Sequence, residues 1–143
     1  MTYYFKPYVV QAHSGEKLYV HIDPATPEQL KATHRSPKWQ TDWTSDYLSD
    51  PSIDKYAVTT ESGELIALGA YQIRGRNTYV YIICMESAPY SNPTMHARSE
   101  GKYFGIGELL IAFGIKYCID NNGFGDVVFE AKTEELADRK SVV

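Results

Sequence analysis

From residue 55 onward the spacing of apolar positions changes twice. KYAVTTESGELIALGAYQI, residues 55–73, is two β-rich runs separated by Glu61-Ser62-Gly63-Glu64, the composition of a hairpin turn. A second turn, Arg74-Gly75-Arg76-Asn77, leads into TYVYIICM, residues 78–85, which is apolar at both alternating sets of positions, as in a central strand covered on both faces. Three such runs in succession predict an antiparallel meander. The period then becomes helical: Ile106, Leu109, Leu110, Phe113 and Tyr117 share one face, and Ile111, Ile115 and Cys118 widen it. This predicts a largely buried helix that stops near Asn121-Asn122-Gly123, followed by a strand in DVVFEA, residues 126–131. Strand, helix, strand in this order predicts a right-handed crossover, with the last strand parallel to TYVYIICM.

The first third is less regular. Residues 3–10 and KLYVHI, 17–22, read as short strands, and PEQLKATH opens a helix with proline at its first position and a glutamate in its first turn. Residues 36–54 mix prolines, acids and two tryptophans, which predicts an irregular or short-helical segment pinned by its aromatics. Together the elements describe an α/β (α+β) chain in one domain, residues 1–143, without internal repeats.

Composition removes several classes of function. A net charge of −4 and a single tight basic cluster, Arg74-Gly75-Arg76, argue against nucleic acid as the main partner. Cys84 and Cys118 sit in apolar patterns, which suits small core residues in a reducing cytoplasm. No run approaches the roughly 18 apolar residues of a membrane span, so a soluble protein without a membrane partner is expected. The histidines at 13, 21, 34 and 96 lack ligand spacing, and no metal is expected. A dinucleotide fingerprint would need a glycine at Leu110, a P-loop would need Ser or Thr at Tyr103, and neither Gly-x-Ser-x-Gly nor His-Glu-x-x-His occurs.

What remains is the turn before the long helix, Lys102-Tyr103-Phe104-Gly105-Ile106-Gly107-Glu108. Two glycines at a helix entry leave backbone N–H groups open to close approach, Lys102 adds charge, and the helix start adds a partial positive charge. The natural ligand of such a turn is a phosphate or pyrophosphate. Glu108 cuts against this reading, and the alternative is that Gly105 and Gly107 only allow tight packing.

The run from Lys102 to Gly107 resembles the acetyl-coenzyme A signature of the GCN5-related N-acetyltransferases, written Q/R-x-x-G-x-G/A, with lysine in place of arginine or glutamine. IICMESAPY and FEAKT around it are similar to small bacterial members, and the resemblance covers roughly residues 55–135. It implies a mixed sheet with a splayed central strand pair and a coenzyme-binding core over residues 79–132. The pantetheine would pair with Met85 to Ser87, and the pyrophosphate would sit on the amides of Tyr103, Phe104, Gly105, Ile106, Gly107 and Glu108 beside Lys102. An acceptor amine, on a small molecule or a peptide, would enter against residues 23–54, lined by Trp39, Trp43 and Tyr47.

The reaction implied is direct attack of the amine on the thioester, without a metal or a covalent enzyme intermediate. An alkylammonium with a pKa near 10.4 is neutral only about once in a few thousand molecules at pH 7, so a base is needed. Glu86, at the end of the central strand, is the candidate; the competing reading is that it only shapes the strand end. Tyr90 is the candidate acid, with Tyr103 as a substitute. The sequence departs from the family pattern after FEAKT, where only EELADRKSVV follows. This predicts an open sheet edge, and hence a homodimer, or a coenzyme A-binding or interaction protein without turnover. A toxin-like acetyltransferase acting on charged tRNA is disfavoured by the acidic balance.

Overall fold

The structure is a computed structural model that describes residues 4–76, 78–91 and 102–129. Strand β1 spans Tyr8–Gln11, β2 Lys17–Tyr19 and β3 His21–Pro24. Helix α1, Pro27–Ala32, and a 3-10 turn, Asp46–Leu48, precede β4, Ile53–Thr59, β5, Leu65–Arg74, and β6, Tyr79–Ser87. A second 3-10 turn, Pro89–Ser91, β7, Tyr103–Phe104, helix α2, Ile106–Asp120, and β8, Asp126–Phe129, complete the order. Among the described residues, two helices and two sheets make a mixed α/β fold.

The larger sheet has the order β3-β4-β5-β6-β8, antiparallel except for the last pair. β8 runs parallel to β6, with Tyr79 opposite Asp126 and Ile82 opposite Phe129, as a crossover through α2 requires. Both tight turns fall where the sequence places them. Thr60 and Glu64 close the first, and Gly75 and Arg76 form the second with φ of 63° and 58°, the left-handed pair that matches strand twist.

Each face of this sheet has its own cover. On one, α2 lays Phe113 and Tyr117 over Tyr71, Val80 and Ile82. Gly114 lets the helix approach, since a Cβ there would stand 3.3 Å from the Tyr71 ring, and the Tyr71 hydroxyl donates to the Leu110 carbonyl at 2.7 Å. On the other face Trp39, Trp43 and Leu48 from the irregular segment cover Ala57, Leu68, Ala70 and Cys84. The tryptophans therefore act as anchors of that segment, whereas Tyr47 is exposed.

Several boundaries differ from the sequence reading. The strand read at 3–10 begins only at Tyr8, after Pro7, and KLYVHI is two strands in two sheets. Buried Val20 marks the break; its amide turns to the Pro7 carbonyl at 3.1 Å, leaving His21 to start a strand against β4. The irregular 23–54 segment loses both ends to strands, at Asp23-Pro24 and at Ile53-Asp54. α1 has a reciprocal cap that was not read: Thr26 accepts from the Gln29 amide while the Gln29 side chain accepts from the Thr26 amide. β7 was not expected at all. Residues 92–101 and 130–132 of the expected coenzyme-binding core, and the tail behind the expected homodimer edge, lie outside the described residues.

Candidate functional site

The position of Glu86 depends on a bulge. Ala70 faces Cys84 while Tyr71 faces Ile82, so Ile83 is an extra residue in β6. Without it, the period of two would place Glu86 beneath α2 with Val80 and Ile82. With it, Cys84 and Glu86 turn to the opposite face, among the tryptophans. There the carboxylate is 5 % exposed. The Gln40 amide donates to one of its oxygens at 2.7 Å, and the Thr41 amide and the Trp43 indole donate to the other at 3.1 and 3.0 Å. Three donors from one loop converge on a single carboxylate, which fastens residues 40–43 to the sheet. Met85 and Ser87 alternate with it and lie opposite Gly69 and Ala67.

The glycine turn is built differently. The Lys102 amide donates to the Tyr90 carbonyl at 3.2 Å and the Tyr103 amide to the Ser91 hydroxyl at 3.0 Å. β7 pairs with β1, Phe104 opposite Val10 and Tyr103 opposite Gln11. Gly105 then adopts φ of 86°, a left-handed value suited to glycine, and accepts the first helical bond from Leu109 at 3.0 Å. The amides of Ile106, Gly107 and Glu108 precede that bond and have no place in the helical ladder. A Cβ built at Gly105 or Gly107 meets nothing within 4 Å. Both glycines open onto free space, so an anion could approach the amides closely, although the Glu108 carboxylate lines the same opening.

Lys102 does not serve this opening. Its ammonium lies 2.9 Å from Glu64 and over the rings of Tyr90 and Tyr103, 5.2 and 5.4 Å from their centroids. The bond to Glu64 raises its pKa. Burial pushes Glu64 up, but the bonds from Lys102 and Tyr103 and the nearby Tyr90 phenol outweigh it, and the carboxyl ends below its usual range. Tyr90, the candidate acid, donates to the Leu65 carbonyl at 3.2 Å. Burial, then the Glu64 carboxylate beside it, hold its phenol far above the usual range, so it releases a proton less readily.

The positive charge beside the glycine turn comes from elsewhere. An open cleft of about 750 Å³ runs from Gly105 and Glu108 to the hairpin of β1 and β2, where Lys6 and Lys17 line it with Tyr8 and Tyr19. These residues precede the turn by more than eighty positions, and only the β1–β7 pairing brings them to it. The period-two spacing Lys6-x-Tyr8 and Lys17-x-Tyr19 was a visible signal, but its neighbour was not.

Comparison with protein-family models, curated proteins and solved structures finds no match. Among the described residues no group of three or more His, Cys, Asp or Glu side chains stands close enough to hold a metal ion. No helix among them is long and apolar enough to cross a membrane.

Proposed function

We propose that the chain binds acetyl-coenzyme A and transfers its acetyl group to an amine. The observation that supports this most is the open helix entry at Gly105 and Gly107, placed directly after an antiparallel run and at the start of a crossover to a parallel strand. The residues fit a pyrophosphate: free amides, no Cβ in the way, and two lysines across the cleft. When bound, the coenzyme supplies an activated thioester. The chain's own part is to hold its phosphates at residues 105–108, to present the strand end at Met85 to Ser87, and to accept the amine proton.

Glu86 is the acceptor proposed for that proton. A carboxylate offers about four lone-pair sites, and Gln40, Thr41 and Trp43 take three. One is left for an amine or a water. The same saturation favours a second reading, a coenzyme A-binding protein of this fold without turnover, in which Glu86 only fastens the loop.

Melting with acetyl-coenzyme A tests the shared part, because ligand at 100 times its dissociation constant adds about 2.7 kcal/mol. A melting shift with release of free thiol in the presence of an amine panel supports the transferase. A shift without thiol release leaves the binding protein, and no shift at millimolar coenzyme removes both.

A further inference from the structure

The outer face of the small sheet carries chemistry that the acetyl-transfer site does not use. In the hairpin Tyr8 stands opposite Tyr19, and Val9 and Leu18 face the core. Tyr8, Lys17 and Tyr19 therefore project outward. Lys6 lies 4.4 Å above the Tyr19 ring, Lys17 lies 4.7 Å above the Tyr8 ring, and the two rings meet edge to face at 6.2 Å. Among the described residues neither lysine has a carboxylate partner. Both ammonium groups meet aromatic faces, and each tyrosine is at least 40 % exposed.

We propose that this cleft binds a nucleotide, with its base on Tyr8 or Tyr19 and its phosphate between Lys6, Lys17 and the start of α2 at Gly105. A lysine stands over one face of each ring, so a base would stack on the other face or take the lysine's place. Two ammonium groups and the unbonded amides of a helix entry offer charge-assisted bonds to phosphate oxygens. A cleft of about 750 Å³ is of the size that holds a small ligand. Glu108 lines the same cleft and opposes any phosphate there, which the two lysines have to outweigh, and the net charge of −4 disfavours a nucleic acid strand further. The inference rests on the reading of the Gly105 turn as a phosphate cradle and extends it to one chemistry with two sources, the phosphorylated adenosine end of coenzyme A and a free nucleotide.

Titration calorimetry with adenosine 3′,5′-bisphosphate, acetyl-coenzyme A and a short single-stranded oligonucleotide tests it. Wild type is compared with the double variant Lys6→Gln/Lys17→Gln and with Tyr19→Leu, all surface changes whose folding is checked by melting without ligand. The bisphosphate is expected to bind wild type, at least about tenfold more weakly in the lysine variant and about fivefold more weakly in Tyr19→Leu. No binding to wild type, equal affinity in the lysine variant, or tighter binding of the oligonucleotide overturns the inference. Lysine-dependent binding of the bisphosphate, with acetyl-coenzyme A binding wild type and the lysine variant equally, supports the cleft with a free nucleotide as its source and leaves the transferase reading intact. Bisphosphate binding that depends on the lysines, with acetyl-coenzyme A no tighter and no thiol released, supports the nucleotide cleft and removes the transferase.

Discussion

The strand end at Glu86 and the helix entry at Gly105 are both places where the sequence resemblance expects function, yet their polar groups are treated in opposite ways. At Glu86 a buried carboxylate meets three donors from one loop. At Gly105 two glycines face open space, and three amides precede the first helical bond. A buried group with satisfied partners already explains its own presence by stability. The first amides of any helix lack an intrahelical acceptor and, where exposed, are met by water; what marks this turn is that two glycines leave those amides open to close approach. On this comparison the glycine turn is the stronger candidate for binding, and Glu86 has first to be separated from its structural task.

The largest effect is expected from removing the Glu86 carboxylate. Glu86→Ala leaves the Trp43 indole and two amides without an acceptor in a buried site, and the cost is about 3–5 kcal/mol in urea denaturation. Glu86→Gln is milder, about 1–3 kcal/mol, because one oxygen remains while the new NH₂ meets donors. Stability within about 0.5 kcal/mol of wild type in both variants would sink the fastener. Turnover read on the same preparations separates the roles further. A base predicts a fall of about 10²- to 10⁴-fold in kcat for folded Glu86→Gln, whereas a fastener predicts lost stability with kcat of the folded fraction nearly unchanged.

How much of this was legible in the sequence follows from the range of the interactions. The meander, its two turns, α2 and the parallel β8 are local patterns with a tight period, and they stand where the periodicity puts them. The helix entry was legible for the same reason, since Gly105 and Gly107 act through their own backbone. The bulge at Ile83 was not, because TYVYIICM is apolar on both faces and hides the change of side that sends Glu86 to the tryptophans. Nor was the fate of Lys102. It lies three residues before Gly105 in sequence, yet its partner Glu64 is 38 positions away. Lys6 and Lys17, the charges that do line the cleft, reach it only through the pairing of β1 with β7.

The middle effect tests the open end of the comparison and has opposite signs at two glycines. Gly107→Ala adds a Cβ into free space within the first turn of α2, so the free protein should gain about 0.5–1 kcal/mol from helix propensity. Gly105→Ala forces a side chain into φ of 86° and should cost about 1 kcal/mol. Gly105 is thus a poor site for a bulky probe, and Gly107 is the better one. If the turn cradles a pyrophosphate, Gly107→Ala, which the last position of the signature admits, keeps acetyl-coenzyme A binding, whereas the bulkier Gly107→Val and the strained Gly105→Ala bind it more weakly. Unaltered binding in Gly107→Val would mean that the coenzyme does not approach these amides.

The smallest effect concerns a second fastening of the same loop, made in water. Asp42 accepts from Thr44 through its amide and hydroxyl, at 3.0 and 2.8 Å, and lies 2.9 Å from His34. The bond to His34, then those from Thr44, hold its carboxyl at about 2, below the ordinary 3.8. A depressed carboxyl contributes stability that is present above its unfolded value and is lost as pH falls through its folded one. The window here runs from about pH 4 down to about pH 2. Asp42→Asn keeps an oxygen for the Thr44 amide and removes only the charge. Its urea midpoint should lie slightly below that of wild type at pH 5, and the gap should close between pH 4 and pH 2. Asp50 and Glu64 are also held below their usual range, but both proteins carry them, so they cancel in the difference. Because the pair is exposed, the gap should be far smaller than the loss in Glu86→Ala. A gap of equal size would mean that the loop is held from the solvent side, and the saturation of Glu86 would then no longer account for its burial.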